Sequence, residues 1–373
     1  MKRDLLILLG FFATLNLSTT QLSRADDGGA LVYPPADHTA TLLADGRVLL
    51  VGGLALQSGG IVATPNCEVY NPSTNTWTAT GSLKQARHLA GTVLLPDGRV
   101  LTMGGDPTGG FPLSSAEIYF PATGVWSVTT SMHKGRADLY GLYPILLPNG
   151  EVLIPGGSSD AQTCELYDPA TATWTFTGSL LHKRFGLHAT LLTSGKVLVA
   201  GGQAGSKGFV AQCELYDPAT GTWSDTGALS VARADNVQVL LASGGVLVAG
   251  GYFGRPSDLT VTSSTEIYDP GTGLWQTAGA MLTPRVDFTA NLLNDGKVFA
   301  AGGANQPTEV GLDSIEEFNP SAGRWRQLRA MLAPARYKHT TTTLLDGSLI
   351  LAGGYVSGFG DFAPDGELFV RPR

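Results

Sequence analysis

Arginine and aspartate recur two residues apart in the second half of the chain, as Arg233 with Asp235 and Arg285 with Asp287, while Arg336 is followed at the same distance by Lys338. Arg87 and Arg184 stand at equivalent points upstream, and Asp37 holds the aspartate position of the earliest copy, where Pro35 replaces the arginine. A guanidinium is a permanently charged fork of donors, and a carboxylate nearby supplies acceptors, so a ring of such pairs suits a planar polar ligand. Aromatic residues gather in the segments that follow: Phe111, Phe209, Tyr252, Phe253, Tyr355, Phe359 and Phe362. We take Arg233, Asp235, Arg285, Asp287, Arg336, Tyr252, Phe253, Tyr355 and Phe359 as the candidate ligand-binding residues. The same residues also have a structural reading, in which Arg and Asp tie neighbouring units together and the rings anchor their own loops. The sequence leaves both open.

Other reactive side chains carry less. Cys67, Cys164 and Cys213 each immediately precede a glutamate, at equivalent positions of a repeated unit. Packed sheets stand about 10 Å apart, and a disulfide needs Cα atoms within about 7 Å, so three free, buried thiols are expected. No phosphate loop, zinc spacing or nucleophile and base signature stands out. We therefore assign no catalytic residue, no metal and no cofactor. The net charge of −7 and the lack of any basic run argue against nucleic acid as a partner.

What positions these residues is a unit written seven times. Residues 92–105 read TVLLPDGRVLTMGG, and the pattern returns as TLLADGRVLLVGG, ILLPNGEVLIPGG, TLLTSGKVLVAGG, VLLASGGVLVAGG, NLLNDGKVFAAGG and TLLDGSLILAGG. Two apolar runs joined by an Asp-Gly, Asn-Gly or Ser-Gly step predict a hairpin with a tight turn, and the closing Gly-Gly lets the chain leave in a conformation no side chain permits. A second module follows each time, Glu-x-Tyr or Glu-x-Phe from Glu68/Tyr70 to Glu367/Phe369. In six copies a Trp lies beyond it, at Trp77, Trp126, Trp174, Trp223, Trp275 and Trp325, with a Pro or turn sequence between. Two hairpins per unit make a four-stranded antiparallel blade.

A period of about 50 residues with Gly-Gly, Glu-x-Tyr and Trp resembles the kelch repeat. The resemblance covers residues 36–370 and implies an all-β fold, a seven-bladed kelch-type β-propeller with four-stranded blades. The low share of charged residues, 15%, and 49 glycines in 373 residues suit many short strands and tight turns. In a repeat, a residue present in every blade is architecture, and function belongs where copies differ. The segment from Gly-Gly to Glu varies most, and its loops share a face with the start of each innermost strand, where the Arg and Asp positions fall. Blade three departs most: its approach, MHKGRADLYGLYP over 132–144, is longer and would bring Arg136, Asp138, Tyr140 or Tyr143 near the axis, or else merely fill space.

Two enzyme families resemble this chain. Galactose oxidase and its relatives share a seven-bladed kelch-type domain and bind copper through two Tyr and two His, one Tyr being linked to a Cys. Here His38 and His339 occupy one alignment column of blades one and seven, with Tyr337 nearby, but Lys338 separates Tyr337 from His339 and every cysteine lies on a third strand. Periplasmic sialic-acid mutarotases resemble it as exported kelch proteins, without a motif that maps residue by residue.

Lys2 and Arg3 before the apolar run 5–17, with small residues at Ser23 and Ala25, predict a signal peptide over 1–25, leaving the propeller at 26–373. The seventh Trp would fall at Ala25, and position 376 lies past the last residue, so residues 26–33 are expected to run beside the outer edge of blade seven, whose own fourth strand would be short or absent. The sequence thus predicts an exported, monomeric binding protein, secreted or periplasmic and without stable membrane insertion. It would take a glycan or protein ligand on its loop face, the alternative being a carbohydrate-active enzyme, an oxidase or mutarotase.

Overall fold

The structure, a computed structural model, describes residues 23–137, 142–157, 161–255, 258–305, 310–356 and 360–370. Seven four-stranded antiparallel sheets follow one another along the chain. Blade one is built from Thr39–Leu42, Val48–Val51, Cys67–Asn71 and Thr76–Ala79, and the later blades repeat it. The innermost strands of adjacent blades touch all the way round, with Thr340–Thr343 of blade seven returning to Thr39–Leu42 of blade one. Second strands such as Val48–Val51 and Val197–Ala200 are buried along their whole length, because both faces of the sheet are covered by neighbouring blades. No helix among the described residues is long and apolar enough to cross a membrane.

The recurrent residues make the joints between blades. Each Tyr and Trp pair stacks at a tilt, as Tyr216 and Trp223 do at 5.1 Å. The polar ends of both rings cross to the preceding blade: Tyr216 Oη meets Thr177 Oγ1 at 2.7 Å and the Trp223 indole donates to Gly178 O at 2.9 Å. In this blade the buried rings fill space and still satisfy their polar atoms. The Gly-Gly pair has its own reason. In blade five Gly251 N donates to Arg285 O of blade six at 3.0 Å, and a Cβ on Gly250 would stand 2.5 Å from that same carbonyl. Both glycines have positive φ, 67° and 96°, so conformation and close approach exclude side chains together.

The ring closes at blade seven as expected. Ser23–Ala30 pairs antiparallel with Asp365–Val370 and completes the order Ser23–Ala30, Asp365–Val370, Leu349–Ala352, Thr340–Thr343. Trp77 of blade one donates to Gly28 O at 2.9 Å, and Leu31 packs in the same apolar cluster, as Leu83 does one blade on. The strand begins at Ser23, so the boundary expected at Ala25 falls within it; residues 1–22 lie outside the described residues. Two further hairpins rise from the variable loops, Leu54–Gln57 with Gly60–Ala63 in blade one and Tyr252–Arg255 with Asp258–Val261 in blade five. The three cysteines are buried and unbridged, in line with the spacing argument. Burial pushes their thiols up, Cys67 to about 12 and Cys164 and Cys213 to about 11.

Candidate functional site

The arginines face inward. Arg87, Arg136, Arg184, Arg233, Arg285 and Arg336 are fully buried, each in the connector that leads to an innermost strand. The Arg285 guanidinium donates to Gly302 O at 2.8 Å, Ser314 O at 3.1 Å and Glu316 Oε1 at 2.6 Å. Glu316 in turn accepts Leu282 N at 2.7 Å and Thr283 N at 3.0 Å. The repeat glutamate and the arginine thus pin one connector to the third strand of its own blade, and the pattern holds for Arg87 with Glu117, Arg184 with Glu214, Arg233 with Glu266 and Arg336 with Glu367. Arg136 of blade three joins Glu165 in the same way and bonds Gly156 O. Burial pulls the Arg87, Arg184, Arg233 and Arg285 guanidiniums below their ordinary range and the paired glutamates raise them again. Blade one has Pro35 in place of arginine. Its Glu68 holds only Val32 N and Tyr33 N, and burial lifts its carboxyl above the usual value.

The expected ligand ring of Arg233, Arg285 and Arg336 is therefore corrected. Each is fully buried against a glutamate, backbone carbonyls and, at Arg233, Arg285 and Arg336, a serine hydroxyl or Asp365 of its own blade, because a charge buried at this depth is stable only when paired. The anticipated pairing of Arg with Asp is replaced by Arg with Glu.

Two residues beyond Pro35 and beyond Arg87, Arg184, Arg233, Arg285 and Arg336 the chain turns outward through the left-handed region. Asp37, Leu89, Gly186, Asp235, Asp287 and Lys338 share this column with φ between 52° and 60°. Glycine and aspartate adopt that conformation readily, while Leu89 and Lys338 bear a cost of about 1–2 kcal/mol each. Successive members are stitched together, Leu89 N to Asp37 O at 3.1 Å and Lys338 N to Asp287 O at 3.0 Å. The turn delivers Asp37, Asp235, Asp287 and Lys338 to the axial mouth, a cavity of about 370 Å³ also lined by Thr39, Thr92, Thr289, Thr340, His38, His339, Tyr143 and Phe288.

The mouth is polar above and neutral below. Lys338 Nζ stands 3.6 Å from Asp37 Oδ1. Asp235 is held well above the ordinary carboxylate range by burial first and by the neighbouring Asp287 carboxylate second. Burial keeps the imidazoles uncharged: His38 and His188 fall to about 3, and His339 lies well below its usual value. His38 Nε2 meets Thr340 Oγ1 at 2.9 Å and His339 Nε2 meets Thr289 Oγ1 at 3.1 Å. Blade three contributes through its long approach, which sets Tyr143 on His188 with ring centroids 3.8 Å apart. Tyr143 was among the residues the insertion pointed to; Asp138 and Tyr140 lie outside the described residues.

Of the candidate binding residues, the structure brings Asp235 and Asp287 together at the mouth. Tyr252 and Tyr355 are instead core residues of an apolar cluster with Val261, Val286, Ala304 and Tyr337. Their backbones bridge Ala234 and Tyr337, anchoring the loops, so the expectation of exposed rings at these two positions is corrected. Phe253 is half-buried on the blade-five hairpin, and Phe359 lies outside the described residues. His38 and His339 both reach the mouth, but Tyr337 is buried in that apolar cluster, and among the described residues no three His, Cys, Asp or Glu side chains assemble to hold a metal.

A closed ring of seven four-stranded blades around a polar axial mouth defines a β-propeller. The family model of the kelch motif matches residues 184–229, one of the seven blade units of this β-propeller. An F-box/kelch-repeat protein of Arabidopsis thaliana is 38% identical over 74 residues, 20% of this chain and 19% of that protein. Kelch-like protein 33 of Homo sapiens is 33% identical over 98 residues, 26% of this chain and 17% of its own length. The matched segments thus span about a fifth of the curated relatives. Among solved structures, a fungal alcohol oxidase of the AA5 family in complex with copper superposes with a TM-score of 0.72 over 91% of this chain and 75% of its own, at 20% identity, which is a likeness of fold.

Proposed function

We propose that this propeller is an exported binding protein that recognises a glycan through its axial mouth. The observation that carries the reading is the chemistry of that cavity of about 370 Å³. Its size suits one sugar unit at the small end of ligand sites. Carboxyl groups of Asp37, Asp235 and Asp287 and the threonine hydroxyls of Thr39, Thr92 and Thr340 can satisfy ligand hydroxyls, while Tyr143 and Phe288 offer apolar faces. The buried frame beneath gives these groups fixed positions, which lowers the ordering cost of binding. Export rests on the leader-like sequence 1–25.

Glycan-array binding by the chain from residue 23 onward, followed by calorimetry on the best hit, tests the reading. Asp287→Asn and Tyr143→Ala should each weaken binding about tenfold or more, and Arg99→Ala on the opposite face should not. Binding that survives both mouth substitutions, or capture of protein partners alone, would overturn it. N-terminal sequencing of protein recovered outside the cytoplasm tests export, and recovery of the intact leader inside would refute it.

A further inference from the structure

The acid pair at the mouth asks for a cation. Oδ2 of Asp235 is buried without a hydrogen-bond partner although the residue, 8% exposed, lines the cavity. The charges around it come from every neighbouring blade. Asp287 from the blade-six connector lies against it. Lys338 of blade seven stands 3.6 Å from Asp37 of blade one and its charge also acts on Asp235. On the blade-four side Gly186 fills the equivalent position and His188 is neutral, as are His38 and His339 deeper in. Arg233 and Arg285 are turned inward to Glu266 and Glu316. Among the described residues lining the mouth, three carboxyl groups therefore face one ammonium.

We propose that the ligand group bound between Asp235 and Asp287 is a primary ammonium carried on a sugar, the terminal unit of an amino-sugar glycan. The inference rests on the mouth being a glycan site. An ammonium presents three N–H donors and no acceptor, and two carboxylates are acceptors only, so donors and charge are matched together. Without a cation, the Asp235 carboxyl, buried beside the half-buried Asp287, is held in its protonated form. The ammonium replaces that proton: the ligand stays R–NH3+, and one proton leaves to the buffer. A neutral hydroxyl can bond Asp235 Oδ2 but leaves the second charge unmatched.

Calorimetry of the full mature chain with D-glucosamine, D-glucose and N-acetyl-D-glucosamine, in two buffers of different ionisation enthalpy, tests this between about pH 5 and pH 7, where an amino sugar is charged. Glucosamine should bind at least tenfold more tightly than the other two. It should release close to one proton, and its affinity should rise with pH by up to about tenfold per unit. Asp235→Asn should abolish proton release and bring glucosamine affinity down to that of glucose in the same variant. Should that variant fail to fold, the two-buffer measurement on the unmodified protein still decides. Equal affinity for the three sugars with no proton released would overturn this inference and leave the glycan reading standing. Binding of none of them would overturn both, and a lysine-terminated peptide bound with proton release in their place would transfer the ammonium chemistry to a protein ligand and refute the sugar.

Discussion

Replacing Arg285 by alanine separates the frame from the ligand surface. The guanidinium makes four hydrogen bonds, to Gly302 O, Ser314 O, Ser314 Oγ and Glu316 Oε1, the last at 2.6 Å, and both charged partners are shielded from water. Its loss leaves the Glu316 carboxylate held by Leu282 N and Thr283 N alone and strands a buried negative charge. Removing one partner of such a pair costs about 3–5 kcal/mol. Urea unfolding should register that loss as a shift of midpoint at constant slope, and hydrogen exchange should locate it in the connector 280–288. The double variant Arg285→Met with Glu316→Leu should recover most of it, because apolar replacement of a whole buried pair is close to neutral. A loss below about 1 kcal/mol in the single variant, accompanied by weaker ligand binding, would refute the structural role and return Arg285 to the binding face.

Three further outcomes follow from the joints and the closure. Gly28→Ala should cost about 1–3 kcal/mol, since its Cβ would meet Ile350 and stand 2.9 Å from Glu367 N, whereas Gly59→Ala, with nothing within 4 Å, should be neutral by the same unfolding assay. Denatured protein without reductant should titrate as three free thiols and native protein as none, because burial and raised thiol pKa both suppress reactivity; one thiol plus one disulfide would contradict the blade spacing. Glu68 has a folded pKa above its unfolded value, so its contribution to stability is full at low pH and falls as pH rises through the raised value. Relative to the unmodified protein, Glu68→Gln should therefore gain stability as pH is taken upward from about 4 to 7, and a gap that ignores pH would count against the burial of this unpaired acid.

The blade count, the strand order and the closure by the N-terminal strand were legible because period, Gly-Gly and Glu-x-Tyr repeat without loss of register. Leu31 matching Leu83 is the same regularity read across the seam. The arginines were misplaced for a physical reason. A long polar side chain beside a loop looks solvated in sequence, and nothing local says that it folds back under a glutamate about 30 residues later. The signal was present: arginine and glutamate occur together in six blades, and a residue common to the blades belongs to their construction. Aspartates two residues on vary between blades, and Asp37, Asp235 and Asp287 reach the mouth. Tyr252 and Tyr355 were misread because a ring after Gly-Gly can cap a loop from within or project from it, and composition does not distinguish the two. The Tyr143 and His188 stack depends on how blade three spends its extra residues, which no other copy foretells.

The seam in blade seven also sets a timetable. A ribosome delivers Ser23–Ala30 first among the described strands and Asp365–Val370 last, so their ladder waits until nearly all of the chain has emerged. Until then Trp77 lacks the carbonyl of a properly seated Gly28, and blade one presents an open flank. Both partners of the final ladder are unpaired edges in the meantime, the kind of surface that joins with other chains. Ring closure thus falls to one short ladder whose two halves are the most distant pairing among the described strands, a contact that has to close the longest loop.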